Sequence, residues 1–500
     1  MCTGWLLASL LLGPSAQEES ADPEVEQETG QAGGQETPAP KPDPDLPQPS
    51  PPPASREQEP APAPKQEKTG AETGESQSTS EATDPPQDVE VPVTQSATKA
   101  STAGGQVLQE VADALRAVER DRPDWARLET LGHSRGGRQI PLLTLTDLNT
   151  GSAMERPALL LIEETGVSAE GAEGLARLAR LVIDRAASDP EVLALLQRAA
   201  ILIAPLPDPD ALADPATRGL SFARNFPLGW QPETLVEGAG LAPLEKAGVV
   251  AFTDLLRREG RLALVIGVSP EYRSGLPYIA SELPLADGEL FDLLGRIGRA
   301  QGALPWSRVA SPGGGFLDIA YQAHGIPGLA FSLRPPAGSP GSSAALPSTA
   351  ALGERLLGLV QALVARLPRL ELSIDEPRRL GPGVWQIDLE LRNPSPIPTL
   401  SSLAQARRVP AETQLTVTGA TLIASAASRS FHTGVFDETN LHEPSDDLRL
   451  LLGAQAGGEV VRVRLIVSGE TESTVQVRID APRAGSVTGR VLLLEPAAKD

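Results

Sequence analysis

Four short runs of almost unbroken apolar residues constrain this chain most: residues 157–162 (Pro-Ala-Leu-Leu-Leu-Ile), 199–206, 262–268 and 328–333. A strand with one face in water alternates apolar and polar residues. A strand apolar at every position must be covered on both faces. Between these runs stand segments with apolar residues at helical spacing. Residues 107–119 carry Val107, Leu108, Val111, Leu115 and Val118, and residues 170–187 carry Leu175, Leu178, Leu181 and Val182. Residues 244–258, 289–300 and 352–367 read the same way, and residues 139–145 add one more short strand. Buried strands alternating with amphipathic helices predict an α/β domain over residues 105–367, its mixed, largely parallel sheet flanked by helices.

The pattern changes after Pro368. Residues 370–374, 385–391, 415–417, 461–465 and 475–479 alternate apolar with polar and are separated by Gly/Pro-rich turns. They predict a C-terminal β-sandwich over residues 368–500. Five hundred residues are in any case too many for one core. Upstream, residues 17–100 hold eighteen Asp and Glu against five Lys and Arg, and no Phe, Trp or Tyr. Such a stretch buries too little apolar surface to offset its ordering entropy, so residues 17–104 read as a disordered, acidic, Pro-rich linker. It serves either as a spacer or as a solvating tail without a specific partner.

Residues 5–13 are apolar and Pro14-Ser15-Ala16 follow with small side chains, so residues 1–16 read as a signal peptide, although no Lys or Arg precedes the apolar run. The expectation is a secreted, periplasmic or cell-envelope protein with no transmembrane anchor. The single cysteine, Cys2, falls inside this leader, which leaves the mature chain without thiolate ligands or disulfides. A formal charge of −22 argues against nucleic acid as a partner.

Five motifs occur in one order: Leu131-Gly-His-Ser-Arg-Gly-Gly-Arg138 with Ile140-Pro141; Pro157-Ala-Leu-Leu-Leu161; Pro205-Leu-Pro-Asp-Pro-Asp210; Ala223-Arg-Asn-Phe-Pro227; and His324-Gly-Ile-Pro-Gly-Leu-Ala-Phe-Ser-Leu-Arg-Pro335. In that order they resemble the zinc carboxypeptidases, along most of residues 107–367. The resemblance implies a carboxypeptidase-like sheet, a zinc cofactor held by two His and one Glu, and a catalytic Glu that activates the metal-bound water. Matched position by position, those residues are missing. The first zinc His falls on Thr165, Gly166 or Val167, and the zinc Glu falls between Ser168 and Glu170. The second His falls on Val268 or Ser269, the catalytic Glu on Ser332, and the substrate-covering Tyr near Ala310, whereas Tyr321 matches a structural tyrosine. The resemblance thus describes a degenerate member: Val167, Glu170 and Ser269 in the metal slots, Ser332 in the catalytic slot, and no cofactor expected. Ala223 replaces the first Asn of the family's Asn-Arg-Asn-Phe-Pro.

Arg224 and Asn225 survive, and the resemblance makes them substrate-binding residues. A guanidinium suits a peptide's terminal carboxylate because its forked donors match two oxygens. The alternative is that Arg224 pairs with a nearby acid and braces its loop, as paired arginines commonly do. The four histidines, His133, His324, His432 and His442, fit no metal-binding spacing. Gly132-His-Ser-Arg-Gly136 matches a nucleophile-elbow pattern, but a strand follows it where a helix is needed. Three functions stay open: a pseudo-peptidase binding peptide or protein C-termini at the cell envelope, an active zinc metallocarboxypeptidase, and a purely structural exported scaffold.

Overall fold

The computed structural model describes residues 95–214, 221–232, 234–236, 239–269, 283–301, 315–332, 348–429, 438–445 and 449–494. All lie in one unit, residues 89–500. The leader, residues 17–94 of the acidic linker, Ala310 and His432 fall outside the described residues.

The first half runs α1 (Gln95–Asp121), β1 (Ala126–His133), β2 (Gln139–Leu145), β3 (Ala158–Glu163), α2 (Ala169–Ala186), α3 (Pro190–Arg198), β4 (Ala200–Ala204), α4 (Pro209–Ala213), α5 (Ala247–Arg258), β5 (Leu262–Ser269), α6 (Leu285–Ala300), α7 (Phe316–His324), β6 (Gly328–Ser332) and α8 (Thr349–Val364). The sheet order is β1-β2-β4-β3-β5-β6. β4, β3, β5 and β6 are parallel, while β1 and β2 join antiparallel at one edge. The mixed, largely parallel sheet is therefore as expected. The apolar runs become strands covered on both faces. Leu159, Leu161, Leu264, Ile266 and Phe331 pack under α1, α2, α6 and α8, and Leu160, Ile162, Val265 and Ala330 pack under α5 and α7.

Two features differ from the periodicity reading. α1 starts at Gln95, inside the stretch assigned to the disordered linker, so the first helix is longer than its apolar stripe indicates. α7 was not anticipated. Phe316, Leu317, Ile319, Ala320 and Tyr321 are all buried, and so are Asp318 and Gln322, so this nine-residue helix has no exposed polar face.

The second half runs β7 (Glu371–Ile374), β8 (Arg378–Gly381), β9 (Val384–Arg392), α9 (Ser402–Ala406), β10 (Thr413–Thr418), β11 (Thr421–Ser428), β12 (Glu438–Ser445), β13 (Arg449–Gly453), β14 (Val460–Ser468), β15 (Thr474–Ala481) and β16 (Gly485–Leu492). Two antiparallel sheets, β13-β10-β15-β16 and β12-β11-β14-β9-β7, share one apolar core around Trp385, Leu415, Val463 and Val477. The sandwich is as expected, with more strands than the five alternating runs alone reveal.

The halves interlock. Asp287, buried on α6, accepts hydrogen bonds from Tyr321 Oη (2.8 Å) on α7 and from the backbone N–H groups of Ser402 (2.7 Å) and Leu403 (3.0 Å) at the start of α9. Burial and that carboxylate push the Tyr321 phenol above its ordinary range. Gly325 ends α7 in the left-handed conformation, φ 59°. Its carbonyl accepts from Ser401 Oγ (2.8 Å) and Arg483 Nη1 (2.9 Å), while Arg483 Nη2 donates to the His324 carbonyl (2.6 Å). A Cβ on Gly325 would stand 2.3 Å from Ala404 Cβ, so only glycine meets both the turn and the close approach. No helix among the described residues is long and apolar enough to cross a membrane.

Candidate functional site

In a parallel sheet, ligand sites form beyond the carboxyl ends of the strands. Here β3, β5 and β6 end together, with Glu163 opposite Val268 and Ser269 opposite Ser332. Side chains alternate between faces along a strand. Ser269 therefore shares the face of Val265 and Gly267, and Ser332 that of Ala330. Glu164 follows β3 on the same side. Its backbone N–H donates to Val268 O (2.9 Å), and its Oε2 lies 2.7 Å from where a Cβ on Gly267 would stand. Glu164, Ser269 and Ser332 thus form one buried row across the ends of three strands. Two of them are slots expected from the sequence, and the third was missed. A carboxylate just past an apolar run reads as a loop residue, and only strand register places it.

Arg224 sits on a single 3-10 turn, Phe222–Arg224, above the same face. Phe222 and Phe226 anchor this turn in a cluster with Phe252 and Phe316, with ring centroids 5.2–5.8 Å apart. A Cβ on Gly166 would stand 2.9 Å from Phe222 Cβ, so the Arg224 turn abuts the loop that follows β3. Arg224 itself is half-buried. Asn225 faces inward and is fully buried. Its Nδ2 donates to Ala239 O (2.8 Å) and Ala242 O (2.9 Å), and its Oδ1 accepts from Lys246 N (3.1 Å). These bonds satisfy an irregular stretch of backbone that has no ladder partner.

The loop after β3 is held from the other face of the sheet. Glu163 accepts from Thr165 Oγ1 (2.6 Å), Thr165 N (3.1 Å) and Ser168 N (3.4 Å), and Ser168 Oγ caps α2 through Gly171 N (2.9 Å). Burial raises the Glu163 carboxyl to about 7, against the opposing pull of those hydrogen bonds. Val167 is half-buried in the loop, and Glu170 is exposed on the first turn of α2, where its carboxylate accepts from Ser168 Oγ (3.4 Å).

A catalytic zinc takes three protein ligands from His, carboxylate or Cys. The row offers one carboxylate and two hydroxyls, which do not fit that ion. Among the described residues no group of three or more His, Cys, Asp or Glu converges as a metal site. His133 ends β1 at the exposed hairpin, and His324 closes α7, where burial and Arg483 lower its pKa.

The Gly-x-Ser-x-Gly motif forms the β1–β2 hairpin. Ser134 Oγ donates to Asp210 Oδ1 (2.7 Å), and Asp210 also accepts from Gly136 N (2.8 Å) and Arg138 Nη1 (2.6 Å). Two of the five ordered motifs therefore bind one another directly. Those three donors hold the Asp210 carboxyl below its ordinary range even though burial pushes it up. Replacing Ser134 by Ala should lower stability by about 1 kcal/mol, as for a partly exposed hydrogen bond, and should leave any ester hydrolysis unchanged. A thermal melt paired with an ester-cleavage assay checks both, and loss of hydrolysis would reinstate a serine nucleophile.

Residues 369–491 match the family described as Domain of unknown function (DUF8731). No curated protein sequence matches the chain. Among solved structures, the chain is similar to a carboxypeptidase A from Helicoverpa armigera, with 17% identity over 51% of this chain and 72% of that one and a TM-score of 0.42. It is also similar to thrombin activatable fibrinolysis inhibitor (16%, 54% of this chain and 80% of that one, 0.44). A metallo-carboxypeptidase from Burkholderia cenocepacia is similar at 17%, over 51% of this chain and 68% of that one, with a TM-score of 0.36.

Proposed function

We propose that this is an exported, non-catalytic carboxypeptidase-like protein that binds peptide or protein C-termini through Arg224 at the cell envelope. One observation carries the reading. The strand-end row is Glu164, Ser269 and Ser332, with Ser269 where the resemblance calls for an imidazole and Ser332 where it calls for the catalytic glutamate, and a guanidinium-bearing turn packs on the same face. A half-buried arginine can pair with a carboxylate in a fork geometry that water alone does not reproduce. Asn225 positions that turn from beneath. The apolar leader supports export.

The test is fluorescence anisotropy with labelled peptides ending in a free carboxylate or in a carboxamide. Binding should favour the free acid, and Arg224→Ala should weaken it about tenfold, equivalent to roughly 1.4 kcal/mol. Equal affinity for both termini, or an unchanged Arg224→Ala variant, would remove the arginine from the account. Stoichiometric zinc together with C-terminal trimming of peptides would establish the active metallocarboxypeptidase instead.

A further inference from the structure

A cavity opens on the same sheet face, over the half of the sheet formed by β1, β2 and β4. It encloses about 430 Å³, within the range of small-molecule pockets, roughly 300–1,000 Å³. Its floor is a register row: Arg127 on β1 faces Thr144 on β2, which faces Leu202 on β4. Leu148 and Met154 bring apolar surface to the lining. Both are exposed, Met154 at 65% of its full area, so apolar surface faces water here without a covering element among the described residues.

The charges are unequal. Arg258 pairs with Glu129 (3.3 Å), and Arg261 forms a two-pronged pair with Glu259 (2.6 and 2.8 Å) while its Nη1 donates to the Ala153 carbonyl. The backbone of Arg127 is paired with Thr144 in the ladder, but among the described residues its guanidinium makes no hydrogen bond or ion pair. Three guanidinium groups against two carboxylates leave one surplus positive charge, in a protein whose net charge is −22. A lone cation beside exposed apolar surface suits a ligand with one negative group and an apolar body. A multiply charged anion would meet Glu129 and Glu259.

We propose that this cavity binds a small apolar carboxylate, its anionic end on Arg127 and its chain over Leu202, Leu148 and Met154. The test titrates octanoate into the full chain by isothermal calorimetry, with octanamide as the neutral isostere and inorganic phosphate as the bare anion. Octanoate should bind saturably, and octanamide and phosphate at least about tenfold more weakly. Arg127→Ala should cost at least about tenfold. Met154→Asp, which sets a second negative charge in the lining, should do the same. Both sites are exposed, so both variants should keep the wild-type thermal melt. Absence of saturable octanoate binding, equal affinity for octanamide or phosphate, or unchanged affinity in Arg127→Ala would each overturn the proposal.

Discussion

Replacing Asp287 by Ala should destabilise the protein by about 3–5 kcal/mol, the sum for three hydrogen-bond donors deprived of their acceptor. The carboxylate is 1% exposed and is the acceptor for three donors on two elements: the Tyr321 hydroxyl and the N–H groups that open α9. Alanine would leave the buried Tyr321 hydroxyl and the two part-buried N–H groups without that acceptor, and each stranded donor carries a desolvation penalty of about 1–3 kcal/mol. Asp287→Asn keeps one carbonyl acceptor and should cost about half as much. Because α6 and α7 belong to the α/β half and α9 to the sandwich half, the loss should loosen their junction first. Urea unfolding of the full chain measures the total, and hydrogen exchange at Ser402 and Leu403 should report the local opening. Unchanged stability in Asp287→Ala would mean that the junction is held mainly by the contacts of Arg483 and Ser401 with Gly325.

The second large effect is on pH dependence. Glu163 has a folded-state value of about 7 against 4.5 for an ordinary glutamate. Below pH 4.5 the carboxyl is protonated in both states. Between 4.5 and 7 the unfolded chain releases its proton while the folded chain keeps it, so the folded state binds more protons and stability falls as pH rises. Above 7 both states are ionised and this slope vanishes. A gap of that size is worth about 3 kcal/mol. Glu163→Gln cannot ionise and should lack this fall, so the stability difference between wild type and variant should shift by about 3 kcal/mol between pH 4.5 and pH 8. Parallel stability curves for the two proteins would show that the carboxyl is not strained by burial. The same residue steadies the loop that abuts the Arg224 turn. Its ionisation therefore acts on the neighbourhood of the candidate site as well as on global stability.

Much of the architecture is legible along the chain because it rests on local signals. Residues 157–162, 262–268 and 328–333 read as doubly covered strands, and Leu175, Leu178, Leu181 and Val182 as a helix face; the strands Ala158–Glu163, Leu262–Ser269 and Gly328–Ser332 and the helix Ala169–Ala186 stand there. That no His occupies residues 163–170, 268–269 or 332 is also a statement of sequence. Arg224 was visible too, through the motif around it.

What the chain alone leaves open depends on register and on contacts distant in sequence. Glu164 joins Ser269 and Ser332 only because three parallel strands end in step, and a shift of one residue would turn each side chain to the opposite face. Asn225 reads as a pocket residue until the backbone at Ala239, Ala242 and Lys246 folds onto it. α7 is invisible to periodicity because both its faces are buried. Asp287 and Arg483 reach partners 115 and 158 residues away, so no local pattern marks them. The sequence by itself determined the layers of the fold and the chemical types available at the strand ends. Only the tertiary structure decided which of those groups meet, because side-chain convergence is set by strand register and long-range burial, neither of which leaves a mark within a short window of residues.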